Sequence, residues 1–296
     1  GLNLAGGTWR VSDGALLDIP WSTIRTSDAA VTLAGAAGFP AISSLGTVRG
    51  TLILADGATF GFAPLGGAFS IDVGGSLVKA GNGTTTIPTG ISLNNAGTVR
   101  VTGGALSITG PIVQVVGATL AGGSWIVSGN GELAIPAAIS ASDALITLDG
   151  PSALFASISG LASNAGRLEL LGGRQWSLPT LVNSGTVYLN GGSSLTISGP
   201  LANSGLVSIQ DGVLLALGGG QSSGEFAAAA PGRAQFAGDH QFSLAAKLSG
   251  GGSFSFTSGT MAWSGTMTSV GKVAFEGAMF TISATINVPA RVRVSA

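Results

Sequence analysis

The sequence predicts an all-β protein that folds as a single-stranded parallel β-helix, or β-solenoid, with roughly 20 residues per coil. Three observations predict this fold. A long stretch of the chain repeats itself, and a shorter repeat lies inside the long one. Within each short repeat, apolar residues alternate with polar residues, which is the pattern of a β-strand with one buried face.

The long repeat joins a segment near the start of the chain to one in its middle. Residues 4–20 read LAGGTWRVSDGALLDIP, and residues 120–136 read LAGGSWIVSGNGELAIP. The repeat predicts three blocks of one solenoid. These are residues 1–119, residues 120–220 as a repeat of the first block, and residues 221–296 as a less regular continuation. In this last block we expect more aromatic residues in the core, namely Phe236, Phe242, Phe254, Phe256, Phe275 and Phe280.

The short repeat has the length of one coil. Residues 183–197 read NSGTVYLNGGSSLTI, and residues 203–217 read NSGLVSIQDGVLLAL, so the same motif returns one coil later. Gly and Asn at fixed offsets favour turns, because both adopt positive φ more readily than other residues. Stacked coils bury a continuous core that a single repeat could not bury. We therefore favour a solenoid, with roughly 15 coils, over an antiparallel sandwich.

Four asparagines open copies of the short motif: Asn95, Asn164, Asn183 and Asn203. In a stack of coils these side chains would lie above one another at one corner. Stacked amides can hydrogen-bond to the amides above and below them. The pattern therefore predicts a structural Asn ladder, with contact to a ligand as the alternative.

The composition excludes several classes of function. Charged residues make up 8% of the chain, the net charge is −1, and there is no cysteine. The few lysines and arginines are scattered along the sequence, whereas binding to nucleic acid needs clustered cations. No apolar run reaches the length of a membrane-spanning helix. We therefore expect no nucleic-acid partner, no membrane insertion, no metal site and no cofactor.

Aromatic residues are the candidates for ligand contact. Trp9, Trp125 and Trp176 occupy related places in the repeats, and an exposed row of indoles could stack on sugar rings. A packing role is the alternative, because tryptophan is often half-buried. His240 is the only histidine, and we expect it in an exposed loop. The carboxylates are dispersed, so no catalytic residues are predicted.

Several segments resemble repeats of large secreted bacterial proteins, namely autotransporter passengers and filamentous-haemagglutinin-type adhesins. The segments are GTVRVTGGALSITG (97–110), GTVYLNGGSSLTISG (185–199) and GGSFSFTSGTMAWSGTM (251–267). The resemblance implies a right-handed parallel β-helix, export, and display outside the cell or on its surface. It carries no catalytic residue over to this sequence.

These observations together predict a structural or adhesive module that acts as a rigid rod, spacer or fibre segment and is not an enzyme. Its expected partners are neighbouring solenoid segments of the same chain, or other copies bound head-to-tail. A glycan or host surface is a further partner, which would make the chain a carbohydrate-binding adhesin. A polysaccharide-cleaving β-helix enzyme is the weaker alternative.

Overall fold

The fold is an all-β solenoid of parallel stacked sheets, with about 13 turns and ~21 residues per turn. It is seen in a computed structural model that describes residues 1–20, 22–268, 271–277, 279–282, 286–287 and 291–295. The predicted fold class is confirmed, while the expected number of turns was slightly too high. Contacts divide the chain into two units. The first comprises Gly1–Ile139, Ala144–Leu148 and Ser152–Ser159, and the second comprises Ser140–Asp143, Asp149–Pro151 and Gly160–Ala296.

The strands are short, as the alternating pattern predicts. Up to residue 155 they are Leu2–Leu4, Thr8–Val11, Ile24–Ser27, Ala30–Ala34, Thr47–Val48, Thr51–Ala55, Ala68–Ile71, Ser76–Ala80, Thr84–Ile87, Ser92–Asn95, Thr98–Val101, Ala105–Ile108, Val115–Val116, Thr119–Leu120, Ser124–Ser128, Glu132–Ala134, Ala141–Ser142, Leu145–Asp149 and Leu154–Phe155. Three short 3-10 helices span Pro40–Ile42, Leu65–Gly67 and Ala156–Ile158.

The remaining strands repeat with little variation in length. They are Ser163–Asn164, Arg167–Leu171, Gln175–Leu178, Leu181–Asn183, Thr186–Leu189, Ser194–Ile197, Leu201–Asn203, Leu206–Ile209, Val213–Ala216, Gly220–Ser222, Glu225–Ala228, Arg233–Phe236, His240–Phe242, Lys247–Ser249, Ser253–Phe256, Thr260–Trp263, Thr266–Thr268, Lys272–Glu276, Met279–Ile282, Ile286–Asn287 and Arg291–Ser295.

In the first unit, like side chains stack in register along the inside of the solenoid. One interior column runs through Val31, Leu52, Leu77, Val99 and Trp125, which are register partners on successive parallel strands. All five side chains are at most 1% exposed. One antiparallel pair breaks the pattern: Val115–Val116 folds back on Thr119–Leu120 as a hairpin.

The second unit has the same interior columns with larger aromatic side chains towards its end. Val187 and Val207 are register partners, and Val207 in turn pairs with Phe226. A second column stacks the rings of Phe236, Phe256 and Phe275, with neighbouring centroids 5.3 and 5.4 Å apart. The predicted contribution of aromatic residues to the core after residue 221 is therefore present. The side chain of Phe280, which was part of that prediction, lies outside the described residues.

Coil length varies more in the first unit than the short repeat predicts. The register partners Leu52 and Leu77 are separated by a longer stretch of chain than the register partners Val187 and Val207. The extra residues of this coil include the 3-10 helix Leu65–Gly67. Longer coils explain why the chain forms fewer turns than an even spacing would give.

Candidate functional site

A ladder of buried side-chain amides runs through the second unit. The Nδ2 group of Asn164 donates a hydrogen bond to Oδ1 of Asn183 at 2.7 Å, and Nδ2 of Asn183 donates to Oδ1 of Asn203 at 2.8 Å. Each Nδ2 group also donates to a backbone oxygen of the following coil, at 3.1 to 3.3 Å. All three side chains are at most 1% exposed, and their amides bond to one another and to the backbone.

Asn95, the fourth predicted member of the ladder, lies in the first unit, and among the described residues its side chain makes no hydrogen bond to another side-chain amide. Its Nδ2 group donates to the backbone oxygen of Ser124 at 3.2 Å, as the other three asparagines do to theirs. Its Oδ1 atom is buried without a hydrogen-bond partner. The hairpin after residue 114 explains the difference, because Gln114 fills the neighbouring position and accepts from the Asn95 backbone N–H at 2.8 Å.

Glycines at the corner beside the ladder allow the coils to approach closely. A Cβ atom on Gly205 would lie far inside contact distance of the carbonyl oxygen of Gly185. A Cβ atom on Gly185 would clash in the same way with Gly166. The short motif, which begins with Asn, then Ala or Ser, then Gly, therefore combines a buried amide with a position at which no side chain fits.

The three candidate tryptophans do not form one exposed row. Trp125 is fully buried, so it cannot bind a sugar. Trp9 is half-buried against Phe39, with ring centroids 6.3 Å apart, and its indole N–H donates to the oxygen of Gly6 at 3.0 Å. Trp176 lies on a different sheet, where it is half-buried and is the register partner of the buried Leu195.

Trp125 reproduces the contacts of Trp9 at the corresponding place of the long repeat. Its ring lies 6.3 Å from that of Phe155, at the same interplanar angle of 33° as Trp9 and Phe39. Its indole N–H donates to the oxygen of Gly122 at 2.9 Å. The recurrence of these tryptophans therefore reflects a repeated packing motif.

His240 is not the exposed loop residue that we expected. It begins the strand His240–Phe242, is 1% exposed, and packs with ring centroids 5.2 Å from Phe236 and 5.7 Å from Phe242. Neither ring nitrogen has a hydrogen-bond partner of good geometry. Burial lowers the pKa of His240 to about 4, an effect that the backbone oxygens of Ala216 and Ala237 and the charge of Asp239 only partly oppose. The imidazole is therefore neutral at pH 7.

Lys79 is one of the lysines scattered along the sequence, and the structure places it in the interior of the first unit. Its register partners are the interior residues Leu54 and Val101, and it is fully buried. Burial lowers the pKa of its ammonium group, while the charge of Asp56 partly raises it. The Nζ atom donates to four backbone oxygens, those of Ala80, Gly81, Asn82 and Gly103, at 2.7 to 3.3 Å.

One outward-facing surface of the second unit brings cations together. Arg233, Ser253 and Lys272 are register partners on three successive strands, and both cations are exposed. Two shallow hollows of about 480 and 320 Å³ lie on this surface, and both are lined by these three residues. In the sequence these cations look scattered, because two full windings of the chain separate them.

Within the described part of the chain, no group of three or more His, Asp or Glu side chains is placed to hold a metal ion. No helix of the described residues is both long enough and apolar enough to cross a membrane. Comparison with protein-family models, with curated protein sequences and with solved structures gave no match to this chain.

Proposed function

We propose that this chain is a structural segment of a large secreted or cell-surface bacterial protein, of the autotransporter-passenger or filamentous-haemagglutinin type. In this role it acts as a rigid rod, spacer or fibre segment without catalysis. Neighbouring segments of the same protein, or other copies bound head-to-tail, are its partners. The repeat segments quoted above support the choice of protein class.

The observation that carries the proposal is the in-register stacking inside each unit. Aliphatic columns, the amide ladder and the stacked rings of Phe236, Phe256 and Phe275 hold neighbouring coils against one another. A densely packed interior of this kind resists deformation. The buried polar groups of the ladder make hydrogen bonds within the protein, so they stabilise the stack rather than bind a substrate.

Distance measurements within the second unit test the rigidity. The chain has no cysteine, so two introduced cysteines can be labelled without background. Ser177 and Ser255 lie in one outward column, connected by Thr196, Leu215 and Gln235 as successive register partners. Four strand spacings of about 4.8 Å place their backbones about 19 Å apart. We expect Ser177→Cys/Ser255→Cys with spin labels to give one narrow distance distribution.

A broad distribution for this labelled pair in native buffer would contradict the role of a rigid spacer. The same pair in denaturant provides the reference for a flexible chain.

A second assay tests the absence of catalysis: the protein is incubated with neutral and acidic polysaccharides, and new reducing ends are measured. Their release at a rate above that of buffer alone would replace the structural role with that of a polysaccharide-cleaving enzyme.

A further inference from the structure

The outward column Arg233–Ser253–Lys272 places two exposed cations on one face of the described second unit. Adjacent strands are about 4.8 Å apart, so the backbones of Arg233 and Lys272 are about 10 Å apart. The serine between them leaves room for a ligand between the two long side chains. We call these three residues, with Gln235 and Ser255 of the neighbouring column, the basic strip.

The two cations of the basic strip have no partner of opposite charge. Within the described residues, neither Arg233 nor Lys272 forms an ion pair with a carboxylate. Other cations of the same unit are paired: Lys247 lies 3.0 Å from Glu225, and Arg167 lies 2.6 Å from Glu169. The charges of the basic strip are therefore available to an external anion.

The shape and lining of the surface suit an extended ligand. The larger hollow is lined by Gln235, Ser253 and Ser255, whose amide and hydroxyl groups can donate or accept hydrogen bonds. Glu276 lines the same hollow and would repel an anion there. The smaller hollow lies on the glycine-rich turns, where a Cβ atom on Gly251 would meet nothing within 4 Å.

Further basic residues lie on the next strand of the same sheet. Arg291 is the register partner of Lys272, and Arg293 is the register partner of Ala274. Four successive strands thus have arginine, serine, lysine and arginine at equivalent register positions.

We propose that the basic strip binds a linear acidic polysaccharide that crosses the strands and places its carboxylate or sulfate groups near Arg233 and Lys272. A single small anion is a poor fit, because the two cations stand two strands apart. The hydroxyl and amide groups of Ser253, Ser255 and Gln235 match the hydroxyl groups of sugars. This inference adds a ligand to the proposed structural role and does not depend on it.

Nucleic acid fits the same surface less well. Proteins that bind single strands stack bases on exposed aromatic rings. Phe254 is the one aromatic residue that lines either hollow, and it is fully buried. The two hollows therefore offer positive charge and hydrogen-bonding groups, but no stacking surface.

Binding of the 296-residue chain to defined polymers tests the proposal. The probes are polygalacturonate for carboxylate, dextran sulfate for sulfate, unmodified dextran as the neutral polymer, and single-stranded DNA. We expect one or both acidic polysaccharides to bind, with affinity that falls as salt rises, and dextran not to bind. The variant Arg233→Gln/Lys272→Gln is expected to bind about tenfold or more weakly, because two counterion-releasing contacts are lost.

A matched variant separates the basic strip from general charge attraction. Arg10→Gln/Arg100→Gln removes the same charge from exposed positions of the first unit, and it should change affinity by less than about twofold. Equal losses in the two variants would overturn the proposal, as would the absence of binding to both acidic polysaccharides. Tighter binding of single-stranded DNA, lost in the same variant, would replace the polysaccharide with nucleic acid.

Discussion

The side-chain amide of Asn183 donates a hydrogen bond to the side-chain oxygen of Asn203 at 2.8 Å, in the interior of the second unit. The oxygen of Asn183 accepts at the same time from Asn164 at 2.7 Å. Asn183 therefore uses both ends of its side chain to hold the coils on either side. A residue that satisfies two buried partners should be costly to remove.

We predict that Asn183→Leu lowers the free energy of unfolding by about 2–3 kcal/mol, because the Oδ1 atom of Asn203 is left buried without a donor. Asn95→Leu is the matched variant in the first unit, where the asparagine side chain is hydrogen-bonded to the backbone oxygen of Ser124 and not to another side-chain amide. It should cost less than about 1 kcal/mol, since only one side-chain hydrogen bond is lost. Denaturant unfolding measures both, and equal losses would argue against the ladder as a source of stability.

Gly205 gives a second prediction, based on steric exclusion. Gly205→Ala is expected to lower the free energy of unfolding by about 1–3 kcal/mol or more, because the new methyl group overlaps the backbone of Gly185 and forces the coils apart. Gly251→Ala is the control: its Cβ would meet nothing within 4 Å, so the change should stay within about 0.5 kcal/mol. Thermal and denaturant unfolding compare the two, and a harmless Gly205→Ala would contradict this packing.

The repeated tryptophan motif gives a third prediction. Trp125→Ala should lower the free energy of unfolding by about 3–5 kcal/mol, because it leaves a cavity at a fully buried site. Trp9→Ala should cost clearly less, since Trp9 makes the same ring contact and hydrogen bond but is half-buried. Denaturant unfolding is again the measurement. A larger loss of stability for Trp9→Ala than for Trp125→Ala would show that the burial of the tryptophan does not determine how much this motif stabilises the fold.

His240 makes stability depend on acid pH. Its pKa is about 4 in the folded protein, against 6.5 for an unperturbed histidine, so the unfolded chain binds a proton more readily. The free energy of unfolding should therefore fall as pH decreases from about 6.5 to about 4, by up to about 3 kcal/mol. Above about pH 6.5 this contribution is constant, because the imidazole is neutral in both states.

A variant isolates the part of this pH dependence that belongs to His240. His240→Met carries no titrating group, and its register partner Met261 shows that methionine is accommodated in this column. Unfolding of the wild type and the variant is compared at pH 7 and at pH 4.5. The variant should lose less stability on acidification than the wild type, and parallel pH profiles would assign the acid sensitivity to carboxylates instead.

Much of the fold could be predicted because the length of the short repeat is the length of one coil, and its alternating pattern marks the buried face of each strand. The alternation at Val187 and Leu189 indicated an interior column, and the three asparagines of the later motifs are linked as their spacing suggested. Asn95 does not join the ladder because a hairpin occupies the next coil, and the spacing of the repeats does not reveal that hairpin. The column of Arg233 and Lys272 was missed because two windings of the chain separate these residues in the sequence.

The orientation of single polar residues was harder to predict, because burial depends on which face of a strand a residue occupies. His240 is followed two residues later by Phe242, which is also buried. That spacing could have indicated an interior position. Lys79 could not be placed in this way, since its burial depends on four backbone oxygens that only the folded turns bring together.

The amide ladder has a direction: each Nδ2 group faces the later coil and each Oδ1 group faces the earlier one. Each link joins asparagines one winding apart, so one winding adds one donor and one acceptor. Duplication of such a winding within the gene would therefore extend the amide ladder, and the Nδ2 and Oδ1 groups of the added asparagine would both find partners in the neighbouring windings. The number of windings is free to change by duplication or loss, while the contacts between any two neighbours stay the same.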